Sequence, residues 1–168
     1  MIHKDMDGLM LKRNERAQGI LEFALVLPLL LLLLLGIIEA GRLIFVYSSV
    51  NTASREAARY GSAAGEVSAF VKYYQDCAGI RATASRFGLL AGIDESNIII
   101  SYDHGPNTSV FQSTCPPAND QWVHLGDRII VQVSATFEPV VPLVNLPPIP
   151  ISSTSRRTIL KDVEIVSQ

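Results

Sequence analysis

The feature that most constrains this chain is an apolar run close to its N-terminus. From Phe23 to Ile38, sixteen consecutive residues carry no charge and almost all are apolar, with Leu the commonest. A helix over Ile20–Ile38 would contain 19 residues and measure about 28 Å, close to the ~30 Å hydrocarbon core of a bilayer. The run therefore predicts a transmembrane helix. Pro28 is tolerated there because neighbouring groups can satisfy the carbonyl that it leaves unbonded.

Basic residues on the short flank of this run predict its orientation. Lys12, Arg13 and Arg16 lie just before it, whereas the other flank is a long domain whose charges count little. The N-terminus is therefore predicted to stay in the cytoplasm. Residues 43–168 would then be exported.

A cleaved secretory signal is the alternative reading of the same segment. Its start is basic, and Ile38-Glu39-Ala40 loosely resembles the small residues of a cleavage site. The apolar run is longer than the roughly 7 to 15 residues usual for a signal, and the helical pattern continues through Glu39 without a turn. These two features favour a retained, single-pass anchor.

The helix is predicted to continue beyond the apolar run. After Arg42, apolar residues recur at spacings of three and four, which places them along one seam of a helix that ends near Gly61. Small residues in the seam allow another element to approach closely. That element is either a sheet of the same chain or a helix of a neighbouring subunit. The seam consists of Leu43, Val46, Val50, Ala53, Ala57 and Tyr60.

A second helix is predicted between about Glu66 and Leu90, with a break at Gly79. Apolar residues recur through this stretch at spacings that suit one face of a helix. The candidate buried positions are Phe70, Val71, Tyr74, Ile80, Phe87 and Leu90.

Strand patterns follow in the C-terminal half. Residues 96–103 are a short β-branched run, residues 127–137 alternate between apolar and polar, and residues 152–160 offer a last strand. These elements predict an α+β domain: the long N-terminal transmembrane helix continues into a pilin-like domain with a second helix and a three- to four-stranded antiparallel sheet. The alternating strand would bury Ile129, Val131, Val133, Ala135 and Phe137.

Two connecting segments are predicted as loops. Residues 138–150 carry five of the nine prolines, and proline cannot donate to a central sheet ladder. Residues 103–127 look irregular and join two strands. The sequence shows no internal repeat.

The chain has two cysteines, Cys77 and Cys115, and both follow the apolar run. An exported domain would permit a disulfide between them, closing a long loop. Two separate thiols are the plainer alternative.

The sequence predicts no enzymatic chemistry, no catalytic residue and no cofactor. Fourteen Lys and Arg against sixteen Asp and Glu give a net charge of −2, which argues against nucleic acid as a partner. Cys77, His104, Cys115 and His124 could in principle bind zinc, but they lack the short paired spacings of such sites, so no metal is predicted.

A family resemblance rests on two stretches, "GILEFALVLPLLLLLLLGIIEAGRL" and "NTASREAARYG". Together they resemble the TadE/TadG-like pseudopilins of tight-adherence, Flp-type pilus systems, which are related to type IV pili. The resemblance is strong over residues 13–61 and covers the C-terminal sheet only in outline.

The resemblance implies that a prepilin peptidase removes a short basic leader and leaves a glutamate five positions into the mature chain. Counting back from Glu22 places the cut between Ala17 and Gln18, where the family usually has Gly before the cut. The chain would then consist of a cytoplasmic leader (1–17), a transmembrane and spine helix (18–61) and an extracytoplasmic domain (62–168).

Glu22 needs a reason, because an ionised carboxylate in a lipid-facing helix is costly unless it is interfacial or partnered. One reading pairs it with the new amino terminus at Gln18, or with that of a neighbouring subunit, and so sets the axial register of packed helices. The other reading is an interfacial glutamate that reaches the headgroups.

The resemblance implies a minor pseudopilin-like subunit for assembly of a tight-adherence pilus or its secretion machine. Its expected partners are the lipid bilayer, other pilin or pseudopilin subunits through the N-terminal helix, and a prepilin peptidase. Its expected location is the bacterial cytoplasmic membrane or a surface pilus. The alternative is a single-pass, membrane-anchored binding module unrelated to pili, which would recognise its ligand through the loop around Trp122 and residues 138–150.

Overall fold

The structure of the protein is a computed structural model. It describes residues 4–140 and 147–161, and side chains within residues 18–89, 91–140 and 147–161. Two α-helices and six strands occur in these ranges, which confirms the predicted α+β class. The helices are α1 (Lys4–Gly61) and α2 (Cys77–Gly88); the strands are β1 (Glu66–Ser68), β2 (Val71–Lys72), β3 (Ile98–Asp103), β4 (Val110–Gln112), β5 (Arg128–Phe137) and β6 (Ile149–Thr158).

The chain forms two compact units, each with its own internal contacts. The first contains the chain up to Gly41, and Val140 also belongs to it. The second contains Arg42–Pro139 together with β6. The second half of α1 is therefore part of the same unit as the sheet.

Helix α1 ends at Gly61, as the sequence predicted, and it begins at Lys4, well before the apolar run. Its end is determined by packing. Gly61 is buried, and a Cβ atom built on it would lie 2.6 Å from Cδ1 of Ile129 and 3.0 Å from Cδ1 of Ile80. The helix terminus can approach the core this closely because the residue has no side chain.

The main sheet has four antiparallel strands in the order β4-β3-β5-β6. Its central long strand, β5, alternates as predicted, because side chains of period two fall on one face. The inward face is buried, and it comprises Ile129, Val131, Val133, Ala135 and Phe137. On β3, Ile98 and Ile100 are buried beside them, while Ile99 on the other face is exposed.

A polar contact joins α1 to the edge strand β6. Ser54 is fully buried, and its hydroxyl donates to the Asn51 carbonyl at 3.0 Å. The same hydroxyl lies 3.0 Å from Oγ of Ser153 on β6. Ser153 in turn donates to Oδ1 of Asn51 at 3.3 Å. The buried hydroxyl is thus satisfied at the helix–sheet interface.

The predicted helix over residues 66–90 is wrong in its first half. Residues 66–72 form the short hairpin of β1 and β2, and α2 begins only at Cys77. Asp76 caps α2 by accepting from the Gly79 backbone N–H at 3.0 Å, so Gly79 lies in the first helical turn and does not break the helix.

Two of the candidate buried residues in this stretch are exposed. Phe70 is 92% exposed at the tip of the hairpin with φ of 70°, and Phe87 is 46% exposed on α2. Tyr74 and Ile80 are buried as predicted, and Val71 is partly buried. The side chain of Leu90 lies outside the described residues.

The two predicted loops both contain strand residues. β4 and a 3₁₀ turn at Asp120–Trp122 interrupt residues 103–127. β6 begins at Ile149 instead of residue 152 and ends at Thr158 instead of residue 160. Pro150 is accommodated opposite Thr136 because β6 is an edge strand. Residues 141–146 of the proline-rich loop lie outside the described residues.

Candidate functional site

The predicted processing and register residues lie inside the continuous helix α1. The structure places Ala17 and Gln18 in that helix, and the side chain of Ala17 is outside the described residues. Nε2 of Gln18 donates to Oε1 of Glu22 at 3.2 Å, one helical turn away. Glu22 is exposed. The uncut chain thus already pairs these two side chains, while the cut and the pairing with a free amino terminus stay predictions.

The apolar run forms a continuous exposed helical surface. Every side chain from Gln18 to Ile38 is exposed, including large residues such as Phe23 and Leu29. The helix is long and apolar enough to cross a membrane by length and composition, and it is therefore compatible with a single-pass anchor. An apolar surface of this extent indicates a surrounding other than water.

Glu39, at the end of the apolar run, has a contact that the sequence did not suggest. Its Oε1 accepts a hydrogen bond from the backbone N–H of Val140. Both residues belong to the first compact unit. No periodicity or motif links residues so far apart in sequence, so this contact could not have been inferred without the structure.

The predicted packing seam lies against the chain's own domain. Val50, Ala53 and Ala57 are fully buried in the core, and Leu43, Val46 and Tyr60 are partly buried against it. Ser54 and Ala58 beside the seam are also buried. Of the two partners that the sequence left open, the sheet of the same chain occupies this surface.

The opposite side of α1 in the second unit remains exposed. Ile44, Phe45 and Tyr47 are 67%, 47% and 60% exposed. A groove of about 530 Å³ adjoins Phe45, and its other walls are Ser48, Ser49 and Thr52 from α1 with Arg86, Phe87 and Leu89. We call Ile44, Phe45 and Tyr47 the outer strip.

Cys77 and Cys115 form a disulfide, with their Cα atoms 5.7 Å apart. It connects the first residue of α2 to the segment between β4 and the 3₁₀ turn at Asp120–Trp122. Tyr102 of β3 lies beside the disulfide, where its hydroxyl donates to the Tyr74 carbonyl at 2.6 Å. Burial raises the pKa of Tyr102, so the phenol stays a neutral donor.

Asp120 is a second connection between distant segments. Its carboxylate accepts hydrogen bonds from the Tyr74 hydroxyl and from Nε2 of Gln75, the latter at 3.0 Å. It also forms an ion pair with Lys161, whose Nζ lies 3.3 Å away. Burial raises the pKa of Asp120, but the bonds from Tyr74 and Lys161 outweigh it, so the net pKa lies below its ordinary value. The described chain after β6 is thereby fixed to the domain.

The buried Asp103 and the partly buried Arg128 form an ion pair at the end of the sheet. Nε and Nη2 of Arg128 donate to the two carboxylate oxygens of Asp103 at 2.7 and 2.6 Å. These bonds hold the pKa of Asp103 below its ordinary value. Arg128 also donates to the Gly105 carbonyl at 2.8 Å. Its guanidinium is therefore bonded to the end of β3 and to the residues that follow it.

The four residues weighed for zinc do not come together. The two cysteines are bonded to each other and offer no thiolate. His104 and His124 do approach one another, and the third group beside them is the carboxylate of Asp127. The sequence pattern did not indicate Asp127 as a ligand, although its position immediately before β5 places it near the residue that follows β3.

Residues 17–59 match the family model described as TadE-like protein, and this match covers 43 of the 168 residues. No curated protein and no solved structure matches the chain. The match falls on the apolar run and the seam, which are the stretches that carried the predicted resemblance. It confirms that resemblance over residues 17–59, where the N-terminal helix is similar to the TadE-like family.

Proposed function

We propose that the chain is a minor pseudopilin-like, membrane-anchored subunit for assembly of a tight-adherence pilus or its secretion machine. The observation that carries the proposal is the coincidence of the TadE-like match with a helix whose apolar residues are exposed. A pilus-associated membrane protein needs such a helix for the bilayer and for neighbouring subunits. The N-terminus stays in the cytoplasm and the sheet domain is exported.

Burial of the seam determines which part of α1 can contact another subunit. Val50, Ala53 and Ala57 already contact the sheet of the same chain, so a partner cannot use them. In the described part of the chain, two exposed surfaces are left for helix packing: the outer strip in the second unit and the run from Gln18 to Ile38 in the first. In this proposal Glu22 lies at the start of that surface and sets the register between subunits.

The proposal is tested by co-purification of pilus components with variants of the full chain. Glu22→Gln removes the charge at nearly constant shape, and it should leave the protein in the membrane fraction while reducing recovery of pilin partners. Glu56→Gln is the matched control, because Glu56 lies on the same helix and pairs locally with Arg59 at 2.6 Å. Equal recovery of partners with both variants would contradict the register role of Glu22.

Intact mass of membrane-extracted protein tests the processing step separately. Loss of residues 1–17 supports removal of a leader by a prepilin peptidase before Gln18. A full-length chain supports a simple anchor. A chain beginning near Gly41 and free of lipid would contradict both, since the apolar helix would be gone.

A membrane-anchored binding module is the second candidate, and one observation favours it. Trp122 is 51% exposed in a 3₁₀ turn, and Leu125 nearby in sequence is 64% exposed. Exposed aromatic and aliphatic groups on one loop are suited to binding a ligand. Trp122→Ala should abolish ligand binding in this candidate and leave recovery of pilin partners unchanged in the first.

A further inference from the structure

The sheet brings the two histidines of the domain together. β3 ends at Asp103, which stands opposite Arg128 at the start of β5. His104 and Asp127 are the next residues outward on these antiparallel strands, so continuation of the register places them side by side. His124 also lies beside Asp127, because residues His124–Asp127 form a turn closed by the bond from the Asp127 N–H to the His124 carbonyl.

The carboxylate at the centre of this cluster is held rigidly. Asp127 is buried, and its backbone N–H donates to the His124 carbonyl at 3.1 Å. In return the His124 backbone N–H donates to Oδ2 of Asp127 at 2.8 Å. The Asp127 carbonyl also accepts from the Ile159 N–H at 2.7 Å. The carboxylate therefore cannot move far from its position.

Both imidazole rings direct Nδ1 toward this carboxylate. Nδ1 of His104 lies 3.0 Å from Oδ1, and Nδ1 of His124 lies 3.8 Å from Oδ2. The His104 ring stacks on Phe111 of β4, with centroids 4.1 Å apart and planes within 7°. One ligand atom from each of the three residues lies within 4.8 Å of the others.

We propose that His104, His124 and Asp127 form a binding site for a divalent transition-metal ion, with Zn²⁺ as the expected occupant. Two imidazoles and one carboxylate suit zinc, which takes N and O ligands at about 2.0 to 2.2 Å. Hard ions such as Mg²⁺ prefer all-oxygen sites. Since the histidine side chains are 48% and 70% exposed, water can complete the coordination.

Local charge and freedom of movement are consistent with this site. The nearby cation, Arg128, is bonded to Asp103 and to the Gly105 carbonyl, so a negative charge remains on the face that Asp127 presents to the histidines. The ligand atoms must approach by about an ångström to reach tetrahedral zinc distances. The His124 ring, the most exposed of the three side chains, can make that movement.

The test is zinc titration of the untagged full chain in detergent, without reductant so that the disulfide stays intact. Calorimetry should show one saturable Zn²⁺ per chain. His124→Ala should weaken binding by at least about tenfold, because it removes a ligand while the backbone N–H that bonds Asp127 remains. His3→Ala is the matched control, since His3 is the remaining histidine of the sequence and should not change binding.

A second readout separates ligation from misfolding. Zn²⁺ should raise the Tm of the wild type and of His3→Ala but not that of His124→Ala, because only a ligand bound to the folded state stabilises it. Without zinc, the three proteins should have the same circular dichroism. Absence of saturable binding by the wild type, equal binding by His124→Ala, or displacement of zinc by equimolar Mg²⁺ would each overturn the proposal.

Discussion

The hydroxyl of Tyr60 donates a hydrogen bond of 2.7 Å to Oδ2 of Asp76, the residue that caps α2. Tyr60 lies one residue before the end of α1, and its ring makes an edge contact with Tyr73 at a centroid distance of 5.2 Å. The two oxygens of one carboxylate thus serve both helices, since Oδ1 accepts from the Gly79 N–H. The Asp76 side chain thus joins the start of α2 to the end of α1.

Replacing Tyr60 with Phe should destabilise the second compact unit by about 1 to 2 kcal/mol. The variant loses a hydrogen bond to a charged acceptor but keeps the ring and its packing. The measurement is urea unfolding in detergent, followed by fluorescence of Trp122, the only tryptophan. Tyr47→Phe is the control, because Tyr47 is 60% exposed on the same helix. Equal loss in both variants would show that the bond to Asp76 contributes nothing specific.

The same bond should make the domain sensitive to alkaline pH. The hydrogen bond to Asp76 raises the pKa of Tyr60 to about 12 from its ordinary 10.0. The folded state therefore favours the neutral phenol, and the stabilisation is fully present below pH 10 and lost as the pH rises through about 12. The stability difference between wild type and Tyr60→Phe should shrink across this window. A stability difference that stays constant with pH would contradict the assignment to Tyr60. Because Tyr102 is present in both proteins, its own titration contributes equally to both and drops out of the difference.

Loss of the disulfide should cost the domain about 3 to 4 kcal/mol. The bond closes a loop with a sequence separation of 38, and chain entropy predicts this magnitude for a loop of that size. The variant is Cys77→Ala with Cys115→Ala, compared in the same urea unfolding experiment. Wild type treated with reductant should match the double variant. An unchanged midpoint would mean that the unfolded chain gains little freedom when the bond is absent.

Gly61→Ala should destabilise the domain by about 1 to 3 kcal/mol. The added methyl group would lie 2.6 Å from Cδ1 of Ile129, which forces the core to shift. Gly41→Ala is the control on the same helix, because nothing lies within 4 Å of its added Cβ. That variant should be neutral or slightly stabilising, since Ala favours helix over Gly. Thermal unfolding of both variants measures the contrast.

Periodicity predicted the elements that bury one continuous face. The seam of α1 and the alternation in β5 are regular over many residues, and both agree with the positions of the buried side chains. Periodicity gave a wrong prediction for residues 66–75, because their apolar residues also fit one face of a helix. Phe70 shows why: its backbone φ of 70° belongs to a turn, and no spacing rule reports a single residue in that conformation.

The candidate metal site could not be predicted from the sequence because its residues come together only through strand pairing. His104 and Asp127 are 23 residues apart, and only the register of β3 with β5 makes them neighbours. The sequence alone therefore points to the two cysteines and the histidines as candidate ligands, and it does not point to the carboxylate of Asp127. Once strand pairing is known, the residue after one strand and the residue before its partner follow directly.

The covalent link between Cys77 and Cys115 makes the robustness of this domain depend on where in the cell the chain resides. In a reducing compartment such as the cytoplasm the two cysteines would stay reduced. The domain would then lack the stabilisation that the disulfide provides, and it would be more susceptible to proteases. In an oxidising compartment the disulfide would form and stabilise the folded domain. Under the proposed export of the domain, molecules that remain in the cytoplasm would therefore be degraded more readily than those that have crossed the membrane.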